Sequence, residues 1–403
     1  MSSFTGIADD GSKVIYADKK RHLYWMILIS PAVSLASIWL YFALGNNPIV
    51  TVIPAAFFYL FTPLMDLIMG EDPHNPPEEV VNAMMADNYY RVMVHTMVYI
   101  AIAVFLSFAV FVGTQDLPWW SILALILGVG SNSGGVMVMT HELGHKANKL
   151  DRLSAKIGNM IMGYGHFNIE HNKGHHTWVA TPEDPASSRM GENFYAFMVR
   201  ELTGTFKRGT SYEKARLSKQ GRSFWSVHND VLQVYAVTFA MTAIFVALFG
   251  PAMLIFLIPH HFLAWLALTQ ANYVEHYGLM REKLPNGKYE RCQPEHSWNT
   301  NHTYSNMLSF HLQRHSDHHA YPQRPYQVLR DYKDVPSLPT GYGGCFAIAF
   351  FPPLWFAMMD KRVMAWSGGD ITKVNLDPKK KEKLYKKWGV QDLIKTADMT
   401  AAE

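Results

Sequence analysis

Histidine is the residue type that stands out in this chain. There are 19 among 403 residues, and nine of them fall in four short stretches at metal-ligand spacing. HELGHK (141–146) carries His141 and His145 at i and i+4. IEHNKGHH (169–176) carries His171 and His175 at the same spacing, with His176 beside them. NYVEHYG (272–278) carries His276, and HLQRHSDHH (311–319) carries His315, His318 and His319 at i, i+3 and i+4. Residues three and four apart share a helix face, so each cluster can aim its rings at one point. One such pair is a weak signal, whereas four stretches together are a strong one. A zinc ion takes about four ligands. Nine imidazoles therefore suit two metal ions with four or five donors each. Imidazole serves iron, copper, zinc and nickel alike, so the count does not choose the metal, and no catalytic group beyond the ligands can be named.

His141-Glu142-Leu143-Gly144-His145 alone also fits H-E-x-x-H, the protease helix in which two histidines hold zinc and the Glu activates water. An intramembrane protease of that kind needs a third ligand, an Asp on another apolar segment. The apolar runs after residue 145 hold no Asp in their interiors, and seven clustered histidines would have no role. The carboxylate di-iron bundle fails as well, because it needs Glu-x-x-His pairs and further Glu residues on four helices. Two cysteines, Cys292 and Cys345, are too few for a C-x-x-C site or an iron–sulfur cluster.

The elements that must position these histidines are apolar. Six uncharged runs cover 23–44, 48–64, 94–113, 119–140, 231–250 and 251–274, and about 20 apolar residues cross a bilayer. No Lys or Arg occurs in 22–90, 92–145 or 223–280. All 36 basic residues therefore fall on one side if both termini are cytoplasmic, an extreme positive-inside bias. The expected fold is all-α and integral to the membrane: six transmembrane helices capped by a cytoplasmic region of helices and loops carrying a His-rich di-metal site. Its parts are a cytoplasmic N-terminal segment (1–22), helices one to four (23–140), a His-rich cytoplasmic region (141–230), helices five and six (231–275), and a cytoplasmic C-terminal region (276–403). Within the last, 343–359 is apolar but broken by Pro352-Pro353, and reads as an interfacial segment. The polar start of the chain shows no secretory signal. A net charge of +3 points to no nucleic-acid partner.

HELGHK, EHNKGHH, NYVEHYGL and LQRHSDHH, in this order and with these flanks, resemble the integral-membrane histidine-rich di-iron family of desaturases, hydroxylases and hydrocarbon monooxygenases. With GEDPHNPPEEV and ATPEDPASSRMGE, they closely resemble the bacterial alkane 1-monooxygenases, over about residues 12 to 375. The resemblance implies two Fe ions per chain, held by the nine histidines, and O2 as oxidant. It further implies medium-chain n-alkanes as substrate, rubredoxin as electron donor with rubredoxin reductase upstream, and a bacterial inner membrane location. Glu142, Glu170, Asp184, Glu275 and Asp317 are then expected to orient the second ring nitrogens, with His311, one turn before His315, as a further outer partner. The fourth run presents Gly130, Ser133, Gly134 and Met137 above His141, and the sixth presents Trp265, Leu268 and Thr269 above His276. These can line a channel for an alkane. Close helix packing serves Gly and Ser equally well. A fatty-acyl desaturase or hydroxylase is the alternative within the family, and a metal carrier would need polar residues spaced along the spans. Arg281, Lys283, Lys288, Arg291, Arg314, Arg324 and Arg330 surround the last two histidine stretches and form the expected docking surface for an acidic electron donor.

Overall fold

The computed structural model describes residues 3–390. Residues 1–2 and 391–403, at the ends of the two expected terminal segments, lie outside the described residues. Six helices are long and apolar enough to cross a membrane: Leu23–Ala43, Pro48–Met69, Asn88–Thr114, Trp119–Gly144, Asp230–Phe249 and Met253–His276. Each coincides with one of the expected runs, three of them (23–44, 231–250 and 251–274) overrunning a helix end by one or two residues, and they are numbered here as spans one to six. Their outward faces expose large apolar side chains such as Trp39, Leu60, Leu67, Phe239, Leu248 and Ile255. Lipid covers such a surface, while every spanning backbone group is satisfied within its own helix. The chain is an integral membrane protein.

Spans four and six have 26 and 24 residues, about 36–39 Å at ~1.5 Å per residue. A hydrocarbon core is about 30 Å thick. The surplus lets their last turns carry His141 and His276 out of the hydrocarbon. Span four is the axis of the bundle, with 61% of its apolar window buried. It meets span six along small residues. A Cβ on Gly134 would lie 2.5 Å from the Ala267 Cβ, and one on Gly130 would lie 2.9 Å from the Leu263 Cβ. Ser133 and His260 are hydrogen-bonded at 2.8 Å within the same contact.

Span two is the irregular one. Pro48, Pro54 and Pro63 remove backbone donors, and the helix alternates through a 3₁₀ turn (Pro48–Val52) and a π turn (Phe57–Phe61). It runs to Met69, past the expected end at 64, because Asp66 is buried and accepts from the Ser305 backbone N–H at 2.8 Å.

The extramembrane cap contains a helix over Lys149–Met162, a compact segment at 167–178, a 26-residue polar helix over Phe194–Lys219, and short helices over Thr303–Leu308 and His315–Ala320. The 343–359 run forms two helices, Tyr342–Ala349 and Pro352–Trp366, broken at Phe350–Phe351 ahead of Pro352. At 8 and 15 residues neither reaches across a bilayer. The polar N-terminal segment adds a hairpin to the otherwise helical fold: β1 (Ser3–Ile7) pairs antiparallel with β2 (Lys13–Ala17), with Phe4 opposite Tyr16.

Candidate metal centre

The nine clustered histidines meet at one end of spans four and six in two groups. His141, His145, His171, His176 and His318 form the first; His175, His276, His315 and His319 form the second. Within each group one ring nitrogen per residue lies within 4.8 Å of every other.

Local backbone geometry decides the sorting. Residues 171–175 form a π turn between two single α turns, a feature frequent at functional sites. The wider turn brings residues five apart together, so His171 and His176 face one another, Nε2 to Nε2, at 3.0 Å. His175 swings into the second group. The sequence spacing suggests His171 with His175 at i, i+4; the structure pairs i with i+5. On the His315–Ala320 helix, His315 and His319 enter the second group and His318 the first. Both adjacent doublets, 175–176 and 318–319, are thus split between the groups.

The donor set suits a cation at each convergence point. His145 and His141 face Nε2 to Nε2 at 3.3 Å, His318 and His176 at 3.1 Å, and His315 and His276 at 3.3 Å. Two imidazoles can share one proton, but a ring of four or five converging lone pairs cannot be satisfied internally. His175 Nε2 and both ring nitrogens of His319 are buried without a hydrogen-bond partner among the described residues. Burial first, then the neighbouring imidazoles, holds His145, His171, His176, His315, His318 and His319 well below the ordinary imidazole range. That keeps them in the neutral, metal-binding form.

The expected orienting groups divide. Asp184 accepts from His175 Nδ1 at 2.8 Å and is itself fully buried. Burial opposes its charge, yet His175 and Arg208 prevail and hold its carboxyl far below the usual range. Glu170 does not reach a ring nitrogen; it accepts from Arg208 Nε at 2.7 Å, and Arg208 also reaches Asp184 at 2.6 Å. Glu142 pairs with Lys146 at 2.6 Å and not with an imidazole, since i, i+4 geometry on the helix favours that partner. Asp317 accepts from Arg330 and Tyr332, both at 2.7 Å, and so ties down the 330–332 segment. Glu275 faces His315 Nε2 at 3.2 Å on the converging side of that ring, not behind it, with its other oxygen held by the Tyr342 hydroxyl. His311 is not one turn before His315 on a helix. The chain turns over 309–314, with Phe310 and His311 at φ of 45° and 54°, and the His311 ring contacts Tyr24.

An apolar cavity rises from the histidines into the bundle. His141, His171 and His315 lie at its floor, and it reaches Asn132, Ala101 and Phe58 higher up. Of the expected channel residues, Gly134, Met137 and Leu268 line it. Gly130 packs on Leu263, Ser133 bonds His260, Trp265 donates to the Met162 carbonyl at 2.8 Å, and Thr269 donates to Glu201 at 2.9 Å. Those four serve packing between elements instead. Gly135, which the sequence reading passed over, faces open space in the cavity wall.

Sequence reasoning also missed Glu201, Arg208 and Tyr342. A signal for the first was present: Phe194, Phe197, Glu201, Thr205, Gly209, Glu213 and Leu217 are all buried, at helical spacing. The stripe is half polar, so it does not read as a core face.

Residues 117–349 match the family model described as fatty acid desaturase. The chain is 48% identical to alkane 1-monooxygenase 1 of Alcanivorax borkumensis, over 96% of each chain. It is 46% identical to alkane 1-monooxygenase of Ectopseudomonas oleovorans, over 93% of each, and 46% identical to that of Pseudomonas putida, over 93% of this chain and 92% of the relative. With two convergent imidazole groups capping an apolar bundle, the chain belongs to the alkane 1-monooxygenase family, within the fatty acid desaturase class of membrane proteins.

Proposed function

We propose that this protein hydroxylates the terminal methyl of medium-chain n-alkanes to 1-alkanols, using O2, two iron ions per chain and electrons from rubredoxin. The observation that carries the reading is the floor of the cavity: His141, His171 and His315, three of the nine converging imidazoles, close an apolar pocket inside the helical bundle. An alkane has no polar group to bind and partitions into lipid, so a pocket opening within the bundle is where it is concentrated. Five imidazoles would hold one ion and four the other, and bound iron supplies O2 activation and hydrogen abstraction. The residues of the chain do the rest. Asp184 fixes the tautomer and orientation of His175. Gly134, Met137 and Leu268 shape the wall so that a chain end, not its middle, meets the histidines. Phe57, Phe58 and Phe346 keep water from the pocket.

In this reading the histidine cap, both termini and residues 141–230 are cytoplasmic, in a bacterial inner membrane, which the Lys/Arg distribution supports. Four of the seven cations around the last two boxes are engaged internally: Arg281 on the Glu290 and Thr177 carbonyls, Arg314 on Asn301 and Leu329, and Arg324 and Arg330 on Glu78 and Asp317. Lys283, Lys288 and Arg291 stay exposed, Arg291 also donating to the Ala320 carbonyl at 3.4 Å, and form the docking surface for an acidic rubredoxin. The test is purified, iron-loaded protein supplied with rubredoxin, its reductase and a mixture of n-alkanes, with metal analysis alongside. Two irons per chain and 1-alkanol products are expected. One zinc per chain, with protease activity lost in Glu142→Gln, would sink the reading.

A further inference from the structure

Glu201 sits on the Phe194–Lys219 helix with no exposed surface. Its carboxylate accepts from Thr269 Oγ1 at 2.9 Å and Asn272 Nδ2 at 3.3 Å, both on span six. Among the described residues no cation pairs with it. Arg200, its neighbour, turns to Glu192 and to the carbonyls of Pro185 and Ser187, and Arg208 is taken by Glu170 and Asp184. The groups facing it are Thr269 and Asn272 from span six, Tyr164 and Glu170 from the cap, Asp184 from the following loop, and Arg200 on its own helix. A buried carboxyl without a counter-cation favours its neutral form. Burial, opposed by the Thr269 and Asn272 hydrogen bonds and by Arg200 and reinforced by Asp184, pushes the Glu201 carboxyl up to about 7.

Its position is two-sided. Asn272 lines the alkane cavity one turn before His276. On the other side Arg200, Gly204 and Arg208 line an open groove on the surface of the cap, and Gly204 and Arg208 follow Glu201 at i+3 and i+7 along one helix face.

Hydroxylation balances as RH + O2 + 2 e⁻ + 2 H⁺ → ROH + H2O. A C–H bond breaks, a C–O bond forms, and the second oxygen atom leaves as water. The external donor supplies the electrons, and the protons must reach a mostly apolar cavity whose own ionisable wall groups, Glu275 and Tyr342, are fully buried and need resupply from outside. We propose that Glu201 is the proton-relay residue of this reaction: held by Thr269 and Asn272, it takes protons from the surface groove and releases them through Asn272 at the cavity wall, one turn from His276. The proposal rests on the hydroxylase reading above. A group that exchanges protons near the working pH is suited to the task.

The experiment uses the full chain, iron-loaded, as wild type, Glu201→Gln and Thr269→Val. Gln keeps the size and hydrogen-bonding capacity of Glu; Val removes the hydroxyl while leaving Glu201. Infrared difference spectra across neutral pH, which need no turnover, should show a buried carboxylic-acid carbonyl titrating in wild type and absent from Glu201→Gln. With iron content unchanged, 1-alkanol formed per electron pair should fall about tenfold or more in Glu201→Gln, the balance appearing as hydrogen peroxide, and by less in Thr269→Val. Wild-type hydroxylation with unaltered coupling in both variants, or no titrating carboxyl assignable to Glu201, overturns the relay alone. Wild type that makes no 1-alkanol from any n-alkane overturns the hydroxylase reading and the relay with it.

Discussion

The Glu142 carboxylate is bound to Lys146, four residues on and just past the end of span four, at 2.6 Å. A protease base would instead face the metal between His141 and His145. Partly screened ion pairs of this kind contribute ~1 kcal/mol or less. Glu142→Gln should therefore retain alkane turnover within a few-fold, measured as 1-alkanol formation at unchanged iron content. Losing a general base would cost about 10²–10⁴-fold, and a drop of that size would restore a catalytic role to Glu142.

Metal binding should separate by group. His145→Ala removes a donor from the five-membered group and His319→Ala from the four-membered one. Each should lose close to one of the two ions and abolish hydroxylation. Asp184→Asn keeps all nine donors but weakens the hold on His175, and should lower metal affinity about 10–100-fold. Competition with a graded chelator, followed by metal analysis, reads all three. Equal loss of both ions in every variant would contradict two separable groups.

Gly134 and Gly135 make a paired test of the cavity wall. A methyl on Gly134 strikes the Ala267 Cβ at 2.5 Å, whereas Gly135 has nothing within 4 Å. Gly134→Ala should destabilise the span four–span six contact, by about 1–3 kcal/mol as for overpacking elsewhere. Gly135→Leu should fold normally and shift product yield toward shorter alkanes. Gas chromatography of products from an alkane mixture, with thermal unfolding in detergent, distinguishes the two effects.

The buried histidines also predict a pH dependence. Burial and neighbouring imidazoles hold His171, His176, His318 and His319 below their ordinary range. In the unfolded chain the same side chains take up protons near about 6.5. The unfolded state then binds more protons below that pH, so stability falls as pH falls. Metal-free protein should keep its Tm above about pH 7 and lose up to ~1.4 kcal/mol per histidine per pH unit below about 6.5. A Tm unchanged through mildly acidic pH would show that these rings are not held neutral.

Rubredoxin docking is expected to depend on the exposed cations. Lys283→Glu with Lys288→Glu should raise KM for rubredoxin several-fold and flatten the loss of activity with added salt. Turnover with a small uncharged reductant should not change. Steady-state kinetics across a salt series reads both, and an unaltered KM would move the docking surface elsewhere.

What could be read from the sequence, and what could not, follows from physical range. The six apolar runs and their charge-free connections are long, redundant signals, and the spans lie where they indicate. The histidines were legible because ligands on a helix must recur at i, i+3 or i+4. The π turn at 171–175 was not, since its cause is tertiary and its signature is only one residue of extra spacing. Adjacency in sequence misplaced Glu142 and Asp317, whose nearest cations are Lys146 and Arg330. The small residues of span four stayed ambiguous because glycine serves both a tight crossing and an open wall; Gly130 does the first and Gly135 the second. Glu201 escaped notice because a buried stripe half made of polar residues has no apolar periodicity to detect.

His175 and His176 are consecutive residues that serve different groups, as are His318 and His319. The separation between the two donor groups is therefore set across single peptide units, with a Cα–Cα distance of about 3.8 Å, on both sides of the site. Helix tilt does not set it. A thinner or thicker bilayer that rocks spans four and six can change how readily a hydrocarbon enters, yet it has little leverage on the distance between the two donor groups. The centre behaves as a rigid buckle fastened to a deformable strap: membranes of differing lipid composition should alter the KM for alkane while leaving the spectroscopic signature of the metal-loaded site constant.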